Sequence, residues 1–156
     1  MVKLNNKISI GCLIQWYEIE LVGDYLRSVK NAVDTIENKK NVIIDLYFNT
    51  SQALEEVDEN QMSISDIKSK YNQLLKEIFG YDEFHIDLVG CDYNLKLHTN
   101  DHDKQIYTIA DYRRWFNDYY CDRVDLLMWG ESDSLIPIQT FEILDSLHDG
   151  VKEQTQ

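Results

Sequence analysis

Val124-Asp-Leu-Leu-Met-Trp-Gly-Glu-Ser-Asp133 is an apolar run that breaks at a glycine into two carboxylates flanking a serine. Leu126 to Trp129 have the length of a buried strand, because a short apolar run bounded by polar residues suits a sheet covered on both faces. Glu131 and Asp133 then fall just past the strand's carboxyl end, where open α/β sheets bind ligands. Side chains alternate with a period of two in an extended segment, so an acid-x-acid triplet is expected to send both carboxylates to the same side. Two oxygens so placed suit a divalent cation that also holds phosphate oxygens. An isolated triplet of this kind is equally a solvated turn between strand and helix, and the rest of the chain has to decide between the two.

Working outward from this stretch, strand and helix alternate along the chain. Lys7 to Trp16 reads as a first strand, followed by a helix with Val22, Tyr25, Leu26, Val29, Val33 and Ile36 at helical spacing. Asn41 to Phe48 is the second strand, and the polar, acidic segment from Asn49 to Gln61 reads as a surface loop with a short helix in Ala53 to Val57. Ser63 or Ser65 caps a helix whose apolar face is Ile67, Tyr71, Leu74, Leu75 and Ile78, ending at Gly80. Phe84 to Gly90 is the expected third strand, and Asp92 to Gln105 an expected charged loop. Thr108, with Asp111 three residues on, caps a helix expected to turn Ile109, Tyr112, Phe116 and Tyr119 inward. The opening stretch is the fourth strand, and after Pro137 a last helix carries Phe141, Ile143, Leu144 and Leu147. This order predicts one α/β domain over residues 1–156, a mostly parallel sheet with helices on both faces. Gln15 to Tyr17, Asn49 to Ser51, Asp92 and Glu131 to Asp133 would gather at one edge of it.

Charge narrows the function classes. Lys and Arg number 15 against 28 Asp and Glu, a formal net charge of −13, which argues against direct binding to a nucleic-acid backbone or an anionic membrane. It favours a cation-assisted site or a basic partner. No apolar run approaches the ~20 residues of a membrane span, and the start is too polar for a signal peptide, so a cytoplasmic protein is expected. Cys12, Cys91 and Cys121 are odd in number and each lies beside apolar residues. They read as buried free thiols rather than a disulfide framework.

The order of parts resembles the nucleotide-sugar-binding half of a family-2-like glycosyltransferase with the GT-A, Rossmann-like fold. Gln15-Trp16-Tyr17 followed by Tyr25-Leu-Arg-Ser-Val29 is similar to that family's first strand end and helix, and Trp129-Gly-Glu-Ser-Asp-Ser-Leu-Ile-Pro137 to its Asp-x-Asp-type motif. The resemblance implies that Asp133 ligates a divalent metal, Mn or Mg, on the diphosphate of a nucleotide sugar. Glu131 would join it as a ligand, through a metal-bound water, or on the ribose. Trp16 and Tyr17 would lie near the base with Gln15, and Asn49-Thr-Ser51 stands where the family holds base or ribose. It also implies transfer of the sugar to an acceptor these residues do not name, with the acceptor-binding half missing or minimal. A half-domain of this kind would leave a sheet edge or apolar face open to self-association. The alternative from a different class is a non-catalytic acidic α/β interaction protein that masks a basic partner.

Other constellations carry less. His98 and His102 lie four residues apart beside carboxylates, a metal-ligand spacing only if the segment is helical. The aromatic group Tyr107, Tyr112, Trp115, Phe116, Tyr119 and Tyr120 reads as core packing with Trp115 and Tyr120 at its margin. Glu55 to Glu59 reads as a solvated acidic loop. No glycine-rich dinucleotide or P-loop pattern is present, nor a Gly-x-Ser-x-Gly elbow.

Overall fold

The structure, a computed structural model, describes residues 1–50, 63–82, 91–99 and 108–155. Four strands, β1 (Ile8–Gln15), β2 (Val42–Asn49), β3 (Asn94–Thr99) and β4 (Leu126–Trp129), form an all-parallel sheet in the order β3-β2-β1-β4. The helices are α1 (Val22–Val33), α2 (Ile64–Phe79), α3 (Ile109–Tyr120) and α4 (Thr140–Thr155). This is a Rossmann-like α/β arrangement, and none of its described helices is long and apolar enough to cross a membrane.

The period-two alternation of β1 and β2 builds two layers of core. Ile8, Ile10, Cys12 and Ile14 of β1, with Val42, Ile44, Leu46 and Phe48 of β2, pack on α1, α2 and Phe141 of α4. The opposite residues, Leu13 and Tyr47, pack under Tyr112, Phe116 and Tyr120 of α3. Gly11 permits that second contact: a Cβ there would lie 2.5 Å from a Phe116 ring carbon and 2.6 Å from the Tyr112 hydroxyl. Ser63 and Thr108 accept hydrogen bonds from the backbone N–H of Asp66 and Asp111, so both expected caps are present.

Several expectations are corrected. Asp92 to Gln105 is not a loop throughout, because β3 occupies Asn94–Thr99. Leu95 and Leu97 face the α2 side of the sheet while Lys96 and His98 face the other, the alternation of a strand with one thin covering. The strand expected over Phe84 to Gly90 lies outside the described residues, as do the short helix of Ala53 to Val57, Glu55 to Glu59, His102 and Tyr107. β4 is not buried on both faces. It is the sheet's edge, bonded only to β1 among the described residues, and Leu127 and Trp129 remain 38% and 45% exposed. On α3 the inward set is Tyr112, Phe116 and Tyr120, while Ile109 and Tyr119 are exposed, because the run spaced four apart is the one that meets Leu13 and Tyr47. Ile143 and Leu147 of α4 are exposed where only Phe141 is fully buried. Cys12 and Cys91 are buried free thiols, but Cys121 is exposed at the end of α3.

Candidate functional site

β1 and β4 are neighbours, yet the chain leaves β1 toward β2 on the other side, so their carboxyl ends flank the point where strand order reverses. Such a switch point is the usual ligand crevice of an open parallel sheet. A cavity of about 380 Å³ opens there, lined by Leu13, Gln15, Tyr17, Glu18, Ile109 and the segment Gly130 to Asp133. Four of the residues singled out in the sequence therefore meet: Gln15, Tyr17, Glu131 and Asp133.

The ladder on β1 continues as far as Gly130, whose N–H donates to the Gly11 carbonyl at 2.7 Å. Beyond it the chain turns: Ser134 N–H donates to the Glu131 carbonyl at 3.0 Å. The acid-x-acid triplet is thus a turn rather than an extended segment, a correction to the expected geometry, although both carboxylates still line one cavity. Ser132 explains the turn. It is buried, and its hydroxyl donates to the Glu18 carboxylate. Glu18 closes the short helical turn Trp16–Glu18, where its other oxygen accepts from the Gln15 N–H at 2.9 Å. One carboxylate therefore ties the loop after β1 to the loop after β4. Gln15 and Glu18 have the spacing of a capping box, which is the sequence signal by which Glu18 could have been found.

The remaining predicted residues divide. Asn49 is buried at the end of β2 and does not line the cavity; its amide donates to the Gln15 side-chain oxygen at 2.9 Å and so orients a residue that does. Trp16 is only 8% exposed and packs in the core, its ring edge-on to Tyr17 at 5.6 Å, so it offers no face to a ligand. That corrects its expected place beside a base. Tyr17, 62% exposed, presents the aromatic surface at the rim.

Arg113, which the sequence did not single out, lies 3.5 Å from Glu131 and holds its guanidinium 4.6 Å from the centre of the Trp129 ring. The edge strand thus fixes a cation beside the first carboxylate. Behind the cavity, the Cys12 thiol donates to the Leu13 carbonyl at 3.6 Å, with the Tyr25 phenol close enough to influence it. Burial, reinforced by the negative charges of Glu18 and Glu131, pushes the Cys12 thiol far above its ordinary range, so it stays protonated and is no nucleophile. The phenol of Tyr25 is raised as well, chiefly by burial. Gly130 rests on this phenol: a Cβ would fall 1.9 Å from its oxygen.

A second polar cluster lies on the α3 face. Asp45 of β2 is fully buried and accepts from Tyr112 at 2.7 Å and Tyr120 at 2.5 Å, with His98 Nε2 at 2.8 Å. Burial and the adjoining Asp45 carboxylate push both phenols well above the usual tyrosine range. The cluster joins β2, β3 and α3 and is a satisfied structural network. His98, expected in a loop, is a strand residue with one ring nitrogen committed to Asp45. Tyr120, expected at the margin of the aromatic group, is at its centre, and Tyr119 takes the margin.

Among the described residues no group of three or more His, Cys, Asp or Glu side chains could enclose a metal ion. Comparison with known protein families, curated proteins and solved structures gives no match to this chain.

Proposed function

We propose that this chain is the nucleotide-sugar-binding domain of a GT-A-type glycosyltransferase, taking a divalent cation, Mn or Mg, together with its donor's diphosphate. The observation that carries the reading is the convergence of Glu131, Asp133, Gln15 and Tyr17 on one cavity at the strand-order reversal. Two carboxylates, with no third ligand among the described residues, fit a cation that arrives with phosphate, since Mg²⁺ is commonly held by one or two carboxylates, phosphate oxygens and water.

Within this reading Asp133 and Glu131 hold the cation, which would stabilise charge developing on the leaving nucleoside diphosphate. Arg113 limits how far the Glu131 carboxylate can swing. Glu18 and Ser132 keep the turn in place, and Asn49 holds the side-chain oxygen of Gln15, a residue that lines the cavity. Tyr17 supplies the face on which a base can stack. The sugar would then pass to an acceptor bound outside the residues that line this cavity.

Thermal melting with UDP, GDP, CDP and ADP, each with and without Mn²⁺, tests the reading. A ligand that binds only the folded state must raise the melting temperature. One nucleotide should do so in a metal-dependent way, and Asp133→Ala should abolish that increment. If no nucleotide shifts the wild-type protein, the donor-site reading fails. The acidic-surface alternative would then be tested by salt-sensitive capture of a basic protein.

A further inference from the structure

We infer that Gln15 selects the base of the bound nucleotide. It favours a carbonyl oxygen on the edge far from the ribose, as in uracil and guanine, over an amino group there, as in cytosine and adenine. The inference rests on the nucleotide-sugar reading and narrows its substrate class. One hydrogen bond carries it. The amide of Asn49, buried at the end of β2, donates to the Gln15 side-chain oxygen at 2.9 Å. That oxygen is an occupied acceptor, so the end of Gln15 left for a ligand is its NH₂ group, a donor with no hydrogen bond among the described residues.

Strand order decides which end of a nucleotide meets this donor. Glu131 and Asp133 follow β4 on one side of β1, whereas Asn49 ends β2 on the other, in register with Gln15. A cation and diphosphate held by the two acids leave the base toward β1 and β2. The part of a base farthest from the diphosphate is the edge opposite its ribose. The rest of the lining cannot read that edge. Tyr17 offers its ring, and stacking accepts any base because each has a π-face. Ser132 is committed to Glu18, and the two oxygens of Glu18 are taken by Ser132 and by the Gln15 N–H. Gln15 itself is held twice, its backbone by Glu18 and its side-chain oxygen by Asn49. A donor fixed before the ligand arrives rejects a base that presents another donor, since two N–H groups would face each other unpaired.

Titration calorimetry of the full chain in Mn²⁺ tests the selection by comparing UDP with CDP and GDP with ADP, pairs alike in ring size, ribose and charge. Within the pair that binds, the carbonyl base should bind about tenfold or more tightly. Gln15→Glu can keep the bond from Asn49 on one oxygen while the other replaces the donor by an acceptor. Its added charge opposes both diphosphates equally, so the affinity ratio is the readout, and it should fall to parity or reverse. Asn49→Asp should move the ratio the same way, because an acceptor at position 49 draws the Gln15 NH₂ group and turns the Gln15 oxygen to the base. Circular dichroism confirms that each variant is folded, and Gln15→Glu, at a half-buried position, decides the matter if the buried Asn49→Asp does not fold. Tighter binding of CDP than UDP, or of ADP than GDP, overturns the inference and leaves the donor site standing. So does a ratio that Gln15→Glu does not move. Failure of all four nucleotides to bind the wild type overturns the inference and the donor-site reading together.

Discussion

Asp45 and Gly130 show how much of this molecule turns on single atoms. The Asp45 carboxylate serves three donors from two elements besides its own strand, with no solvent to replace any of them. Asp45→Asn exchanges an acceptor oxygen for a donor and leaves at least one hydroxyl or imidazole N–H unmatched. The expected loss is about 2–3 kcal/mol in urea unfolding, against about 1 kcal/mol for Tyr120→Phe, which removes one bond and strands nothing charged. Equal losses from the two changes would mean the carboxylate is not the hub. Gly130→Ala places a methyl group on the Tyr25 hydroxyl and should cost about 1–3 kcal/mol by overpacking. Because the acid turn starts at this residue, the same variant should weaken nucleotide binding out of proportion to its stability. Adding Tyr25→Phe removes the nearest atom and should restore part of both losses; independent, additive effects of the two changes would refute the contact.

At the scale of elements, Asp34 joins three pieces that the core alone does not align. It follows α1 and accepts from Lys30 at 2.7 Å and from the Tyr93 hydroxyl at 2.5 Å, with Lys39 at 3.3 Å. Burial pulls its pKa upward, but the bonds from Lys30 and Tyr93 and the Lys39 cation outweigh this and hold it below 3.8. A depressed folded pKa stabilises the protein above the unfolded value and stops doing so as pH falls through the folded one. Asp34→Asn should therefore cost about 1 kcal/mol at neutral pH, a modest figure because the groups are partly solvated, and less at an acid pH where the lowered carboxylate has taken up its proton. Urea midpoints at the two pH values measure the difference, and a loss that persists in acid would assign it to packing instead. The helices at this scale were legible in the sequence because their signals are local: Ser63 and Thr108 cap within three residues, and the apolar spacing of α1 and α2 needs no neighbour to define it. β3 was hidden by its own exposure, since Lys96 and His98 alternate with only two leucines in an Asn- and Asp-rich stretch. β4 misled for the opposite reason: an apolar run reads the same in the middle of a sheet as at its edge, where Leu126 and Met128 pack on the core while Leu127 and Trp129 stay exposed. The site was legible as acids after a strand, but Glu18 and Ser132 enter through a contact between two loops far apart in the chain, and Arg113 through one between α3 and the turn after β4.

For the whole molecule the decisive quantity is the charge of −13, because it bears on how any metal effect must be read. A chain with this much self-repulsion gains stability from any cation that screens it, and divalent ions screen better than monovalent ones. Mn²⁺ alone should therefore raise the melting temperature of wild type and Asp133→Ala alike, and sodium chloride at matched ionic strength should reproduce most of that rise. The site-specific term is what remains once a nucleotide is added: an increment that requires metal and nucleotide together, saturates with nucleotide, and disappears in Asp133→Ala. Glu131→Gln should reduce it without abolishing it, because this carboxylate already shares its charge with Arg113 at 3.5 Å, whereas no ion pair to Asp133 appears among the described residues. If the increment survives Asp133→Ala, or if sodium chloride reproduces it, the two carboxylates belong to the general acidic surface rather than to a donor site.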